Sequence, residues 1–194
     1  MKSTLIMLLA IALMPAAANA QEEGSSPFGI SMGSSIEKFT VKEAKKNGMY
    51  EINPPPKAGK VFEDYSVTYH KDTGICKIHV TTPIIITNPA GDKVKTTFNA
   101  IKNENDRIYG TGQLYDRLDA GSTLTKPEDW MASIAKDQRL FGAIWSRSKG
   151  LKMAGNVDRV TLMTYASDVN IGFLIARYEF SNYPDCKAKL GIQD

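Results

Sequence analysis

The stretch that most constrains this chain is residues 74–82, in which two residue sets alternate strictly. Ile75, Lys77, His79 and Thr81 share one face, and Cys76, Ile78 and Val80 share the other. This period of two belongs to a β-strand. A second strand-like run, residues 62–69, precedes it, and Lys71-Asp72-Thr73-Gly74 between them is turn chemistry. Together they predict a β-hairpin. Pro83 and Ile84-Ile85-Ile86 extend or bend its second strand before Thr87-Asn88-Pro89-Ala90-Gly91 ends it. Three further strand-like runs close the chain, at 141–146, 159–166 and 171–180, with Asp168-Val169-Asn170 as the last turn. Gly142 inside the first of these marks a bulge or a close approach.

Helical spacing appears between the strands. Val94, Phe98, Ile101 and Ile108 recur on one helical face, with Asn105 as the polar exception, and the segment stops at Tyr109-Gly110. Thr125-Lys126-Pro127-Glu128 resembles a capping box with proline in the first turn. It predicts a helix that turns Trp130, Ile134 and Ala135 inward. Nearer the N-terminus, Phe28-Gly29-Ile30 opens the ordered part. Ser34-Ser35-Ile36-Glu37 predicts another helix, with Ile36, Phe39 and Val41 as an imperfect apolar face, Lys45 and Lys46 in its last turn and Asn47-Gly48 as its left-handed cap. Pro54-Pro55-Pro56 follows as an extended connector. The predicted order is helix then strands, twice, over halves 28–87 and 91–181 of one domain spanning 21–194. The fold class is α+β: an antiparallel sheet with helices packed on one side.

Phe28-Gly29-Ile30-x-Met32-Gly33 before a helix, a helix ending in Tyr109-Gly110, and this order of elements resemble small exported bacterial proteins of tandem α/β modules. Beta-lactamase inhibitor proteins and the outer-membrane assembly lipoproteins of the SmpA/BamE type are examples. The resemblance implies binding and not catalysis. The chain departs from the lipoproteins in having no cysteine to carry an anchor after the small residues at 18–20.

The compartment is read from the first twenty residues. Lys2 gives a positive start, residues 5–15 are apolar, and Ala18-Asn19-Ala20 supplies the small residues of a cleavage site before the polar Gln21-Glu22-Glu23-Gly24. The apolar run falls short of the roughly 20 residues that span a bilayer. A cleaved export signal over residues 1–20, a mature N-terminus at Gln21 and a periplasmic or secreted protein are expected, with no stable membrane insertion. In such a compartment the only two cysteines, Cys76 and Cys186, are expected to be bonded. They close a loop of about 110 residues, which chain entropy values at about 4–5 kcal/mol.

A formal charge of +3, with 24 basic against 21 acidic residues, makes no electrostatic case for nucleic acid. Lys42, Lys45 and Lys46 cluster, but Glu37 and Glu43 interleave with them as on a solvated face. Two cysteines and two histidines without ligand spacing argue against zinc. No cofactor is expected.

His79 reads as a partly exposed strand residue, and His70 as a solvent-facing residue at the hairpin end. Neither has triad context. Glu63 and Asp64 are adjacent on a strand and point apart. Glu128 and Asp129 suit a helix N-terminus. Asp116 and Asp119 lie among Gly110, Gly112 and Gly121 and read as turn residues. No catalytic residue is assigned. Among the aromatics, Trp130, Trp145 and Tyr178 read as core. Tyr109, Tyr115 and Tyr183, flanked by glycine or proline, are the expected binding residues.

The expected function is therefore an exported, non-catalytic binding protein acting on a protein or envelope component, as inhibitor, immunity factor or assembly accessory. The alternatives are an exported hydrolase with a carboxylate-based site and a small-ligand carrier using the groove between sheet and helices. Converging carboxylates in a deep pocket would favour the first alternative, an apolar cavity the second, and an aromatic-rich sheet face the binding protein.

Overall fold

The computed structural model describes residues 26–193. The expected export signal and the cleavage point before Gln21 lie outside the described residues. The fold is α+β, as the sequence predicts: among the described residues, nine strands form one sheet with antiparallel pairing, with three α-helices.

The strands are β1 (Val41–Ala44), β2 (Met49–Ile52), β3 (Asp64–His70), β4 (Gly74–Thr81), β5 (Ile85–Ile86), β6 (Gln113–Leu118), β7 (Arg139–Ser146), β8 (Val157–Asp168) and β9 (Ile171–Phe180). Their order across the sheet is β1-β2-β3-β4-β9-β8-β7-β6, with β5 paired to one end of β9. The two halves of the chain thus meet at the β4–β9 ladder, where Ile78 faces Tyr178 and Val80 faces Ala176.

The hairpin β3–β4, the helix α1 (Asp92–Tyr109) and the strands β7, β8 and β9 lie where periodicity predicts them. Gly142 marks a close approach: a Cβ there would come within 2.7 Å of the Leu162 carbonyl oxygen on β8. The helix expected after Thr125 is a single 3-10 turn, Pro127–Asp129, leading into the short α2 (Trp130–Ala135). Asp129, not Glu128, closes the cap, its carboxylate accepting the Lys126 backbone N–H at 3.1 Å.

Two expectations fail. The helix predicted from Ser34 is only a 3-10 turn, Ile36–Lys38, in which the Ser35 hydroxyl accepts the Glu37 N–H at 3.3 Å. The chain then runs extended into the β1–β2 hairpin. Asn47 and Gly48 do adopt left-handed φ, +57° and +67°, but they turn a hairpin and do not cap a helix. Asn-Gly is the strongest short hairpin signal, and Ile36, Phe39 and Val41 never kept a helical period. The observed order is therefore five strands, a long helix, one strand, a short helix, three strands and a last short helix. The second failure is β6. Asp116 lies in this edge strand and pairs with Arg139 at 2.5 Å; the chain does not turn until Asp119. Exposure on both sides removed the apolar alternation that would have revealed it.

The core lies between α1, α2 and one face of the sheet. Val94, Phe98 and Ile101 of α1, with Trp130, Met131 and Ile134 of α2, cover Val160, Leu162, Leu174 and Ala176. Each fully buried side chain of this kind contributes about 1.5–3 kcal/mol. Trp145 is fully buried, and its indole N–H donates to Asp106 Oδ1 at 2.8 Å. The Gly112 backbone N–H (2.9 Å) and Lys102 (2.6 Å) donate to the same carboxylate. Partial burial pushes the Asp106 carboxyl up, but these three donors outweigh it and hold its pKa below the usual range.

The short helix α3 (Tyr183–Lys189) packs against β3 and β4. Thr68 pairs with Lys77 and Tyr69 with Ile75, so Cys76 is the extra residue of a bulge. The bulge turns Cys76 out of its simple alternation toward α3. There it meets Cys186 at bonding distance, with Cα atoms 6.3 Å apart and both residues buried. This is the pairing the sequence predicts.

Candidate functional site

Alternation along the central strands gives the sheet two unlike faces. The face opposite α1 and α2 carries Thr161, Met163 and Tyr165 from β8, and Ile171, Phe173, Ile175, Arg177 and Glu179 from β9. Cross-strand register places Met163 beside Ile175 and Tyr165 beside Phe173. All of these side chains are only partly buried, and β9 alternates half-buried and buried along its ten residues. Ile144 of β7 continues the apolar patch beyond Thr161.

Its aromatic pair is ordered. The rings of Tyr165 and Phe173 stack with centroids 5.5 Å apart and planes 13° apart. Arg177 donates to the Tyr165 hydroxyl at 3.1 Å. Among the described residues no carboxylate pairs with Arg177. Farther along, Lys77 pairs with Glu179 at 2.9 Å and lies 4.5 Å above the Tyr183 ring.

His79 stands on this face directly across from Arg177. Burial pushes its pKa down to about 3, and the cations Lys77 and Arg177 add to the fall. The imidazole is therefore neutral near pH 7, and both charged groups acting on it repel a proton. A general base needs the opposite surroundings.

The three predicted binding tyrosines are not brought together. Tyr115 is on this open face, half-buried on β6 across from Gly142. Tyr183 begins α3, its hydroxyl accepting from Lys77 at 3.3 Å. Tyr109 is 3% exposed at the last turn of α1, on the other side of the sheet. Its glycine neighbour ends the helix and does not make a surface loop. Trp130, Trp145 and Tyr178 are core residues, as read from the sequence.

Sequence reasoning missed Met163, Tyr165, Phe173, Ile175 and Arg177. A signal was present: Phe173-Leu174-Ile175-Ala176 is apolar at both parities, more than one covered face requires.

Two of the acidic residues singled out have local partners: Asp129 at its cap and Asp116 on Arg139. Among the described residues no group of three His, Cys, Asp or Glu side chains could hold a metal ion. Nor, among them, is any helix long and apolar enough to cross a membrane. Comparison with family models, with curated proteins and with solved structures finds no match to this chain.

Proposed function

We propose that this chain is an exported, non-catalytic protein that binds a protein or other component of the cell envelope through the open face of its sheet. The observation that carries the reading is the stacked Tyr165–Phe173 pair, half-exposed beside Met163, Ile175 and an arginine with no acid partner among the described residues. Aromatic residues and arginine dominate the energetics of protein interfaces. Water is a poor partner for such a face, whose apolar members do not alternate with polar ones. Export is supported by residues 1–20 and by a cysteine pair at bonding distance, which suits the periplasm or the exterior.

Site-specific photo-cross-linking in the envelope fraction tests this. A p-benzoylphenylalanine in place of Tyr165 is expected to give a discrete adduct. The same group in place of Asn103, exposed on α1, should give none, and Phe173→Asp should abolish the adduct at 165. Equal labelling from 103, or an adduct indifferent to Phe173→Asp, would sink the reading.

A further inference from the structure

On the helix-covered side a groove of about 330 Å³ opens between α1 and the connector before β3. That volume is at the small end of ligand sites. Its walls are apolar: Phe28 and Phe62 on one side, Ile101 and Ile108 on the other. Val61 and Ile108 on its lips are each 41% exposed. Its floor is polar, formed by Asn105, Tyr109 and Tyr178.

Asn105 is the informative residue. It is 3% exposed, and the Tyr178 hydroxyl donates to its Oδ1 at 3.3 Å, while Nδ2 has no hydrogen-bond partner. Turning the amide over exchanges the two atoms and leaves the oxygen orphaned instead. A buried amide atom without a partner costs about 1–3 kcal/mol. Leucine would fill a helix position facing a purely structural core without that cost.

We infer that this groove binds a compact, largely apolar small molecule that presents one neutral hydroxyl-type group to the Asn105 amide. The hydroxyl both donates and accepts, so it satisfies whichever amide atom is free. The inner group must be neutral, because the floor offers no counter-charge and a buried unpaired ion is prohibitive. Burial raises the pKa of both floor tyrosines, which keeps them uncharged as well. Glu104, also on the lining, is paired with Arg107, while Lys57 and Lys60 at the mouth have no acid partner among the described residues, so the outer end of the ligand is free to carry an anionic group. The groove and the open sheet face are on opposite sides of the molecule, and neither assignment depends on the other.

The test uses 2-naphthol and naphthalene as probes, titrated by fluorescence against the full folded chain. Saturable binding of 2-naphthol is expected, with a preference of about tenfold over naphthalene, the worth of one well-made hydrogen bond. Asn105→Leu should erase the preference and keep naphthalene binding. Ala100→Trp, on the exposed lip of the groove, should abolish binding of both. Absence of saturable 2-naphthol binding would overturn the assignment. So would a preference that survives Asn105→Leu, or binding indifferent to Ala100→Trp. If Asn105→Leu fails to fold by circular dichroism, the Ala100→Trp result decides alone.

Discussion

The two faces of this sheet are made by the same strands and differ in what they ask of their residues. On β9, Leu174, Ala176 and Phe180 are fully buried beneath the helices, while Phe173, Ile175 and Arg177 between them stay half-exposed. The covered face is largely apolar, and Trp145 and Lys102 tie Asp106 there, while Asn105 Nδ2 and Thr164 Oγ1 are left without partners. The open face mixes aromatic, aliphatic and basic groups, and its hydrogen bonds are short-range links between neighbours, such as Arg177 to Tyr165. One face is built for stability. The other keeps apolar area in water, which folding alone does not reward.

The sharpest way to break this contrast is at Trp145. Trp145→Ala empties a fully buried site and removes a donor from Asp106, so a loss of about 3–5 kcal/mol is expected in urea denaturation. A loss below about 1 kcal/mol would mean the covered face is not the main source of stability. Next comes the clamp between β4 and α3. Replacing Cys76 and Cys186 by serine should cost about 2–4 kcal/mol, and the same loss should follow reduction of the native protein by dithiothreitol.

A smaller effect is expected from His79. Its folded pKa is about 3, against an unfolded value near 6.5, so the unfolded chain binds the proton first as pH falls. The neutral histidine's contribution is intact above about pH 6.5 and is lost progressively toward pH 3. Denaturation at stepped pH should show that loss in the native chain and a flatter profile in His79→Gln. Equal profiles would show the imidazole to be solvated. The smallest stability effects belong to the open face. Tyr165→Ala and Phe173→Ala should each cost about 1 kcal/mol or less, the worth of a cross-strand pair. Phe173→Ala should nevertheless reduce cross-linking from position 165 severalfold. Stability losses as large as that of Trp145→Ala would make the two faces equivalent.

How much of this was legible in the sequence depended on which elements carry a clean period. The hairpin over β3 and β4 alternates, α1 places Val94, Phe98 and Ile101 on one face, and the cysteine pair followed from compartment chemistry. The β1–β2 hairpin was hidden because a serine-rich capping pattern at 34–37 competed with Asn47-Gly48, and β1 is exposed at every position. The candidate face was only partly legible, for a different reason. Both parities of β9 are apolar over residues 171–176, so the strand does not say which side α1 and α2 will choose. Only the register, with Tyr165 beside Phe173, makes a surface of residues that are far from special singly. Tyr109 shows the converse: a residue flanked by glycine looks like a loop, yet α1 carries it to its final buried turn.

The ladder between β4 and β9 has a consequence for how the chain is made. The strand pair at the middle of the sheet joins segments separated by about as many residues as the cysteine pair, which is 110 apart. Until the chain past Phe180 has emerged, β3–β4 and β7–β8 exist only as separate hairpins, each with a bare central edge. Contacts of such long sequence separation form slowly, and unpaired edges invite pairing with other chains. Pairing of β9 with both β4 and β8 is therefore the step that closes the sheet, and a chain cut before Ile171 is expected to aggregate and not to fold as a smaller protein.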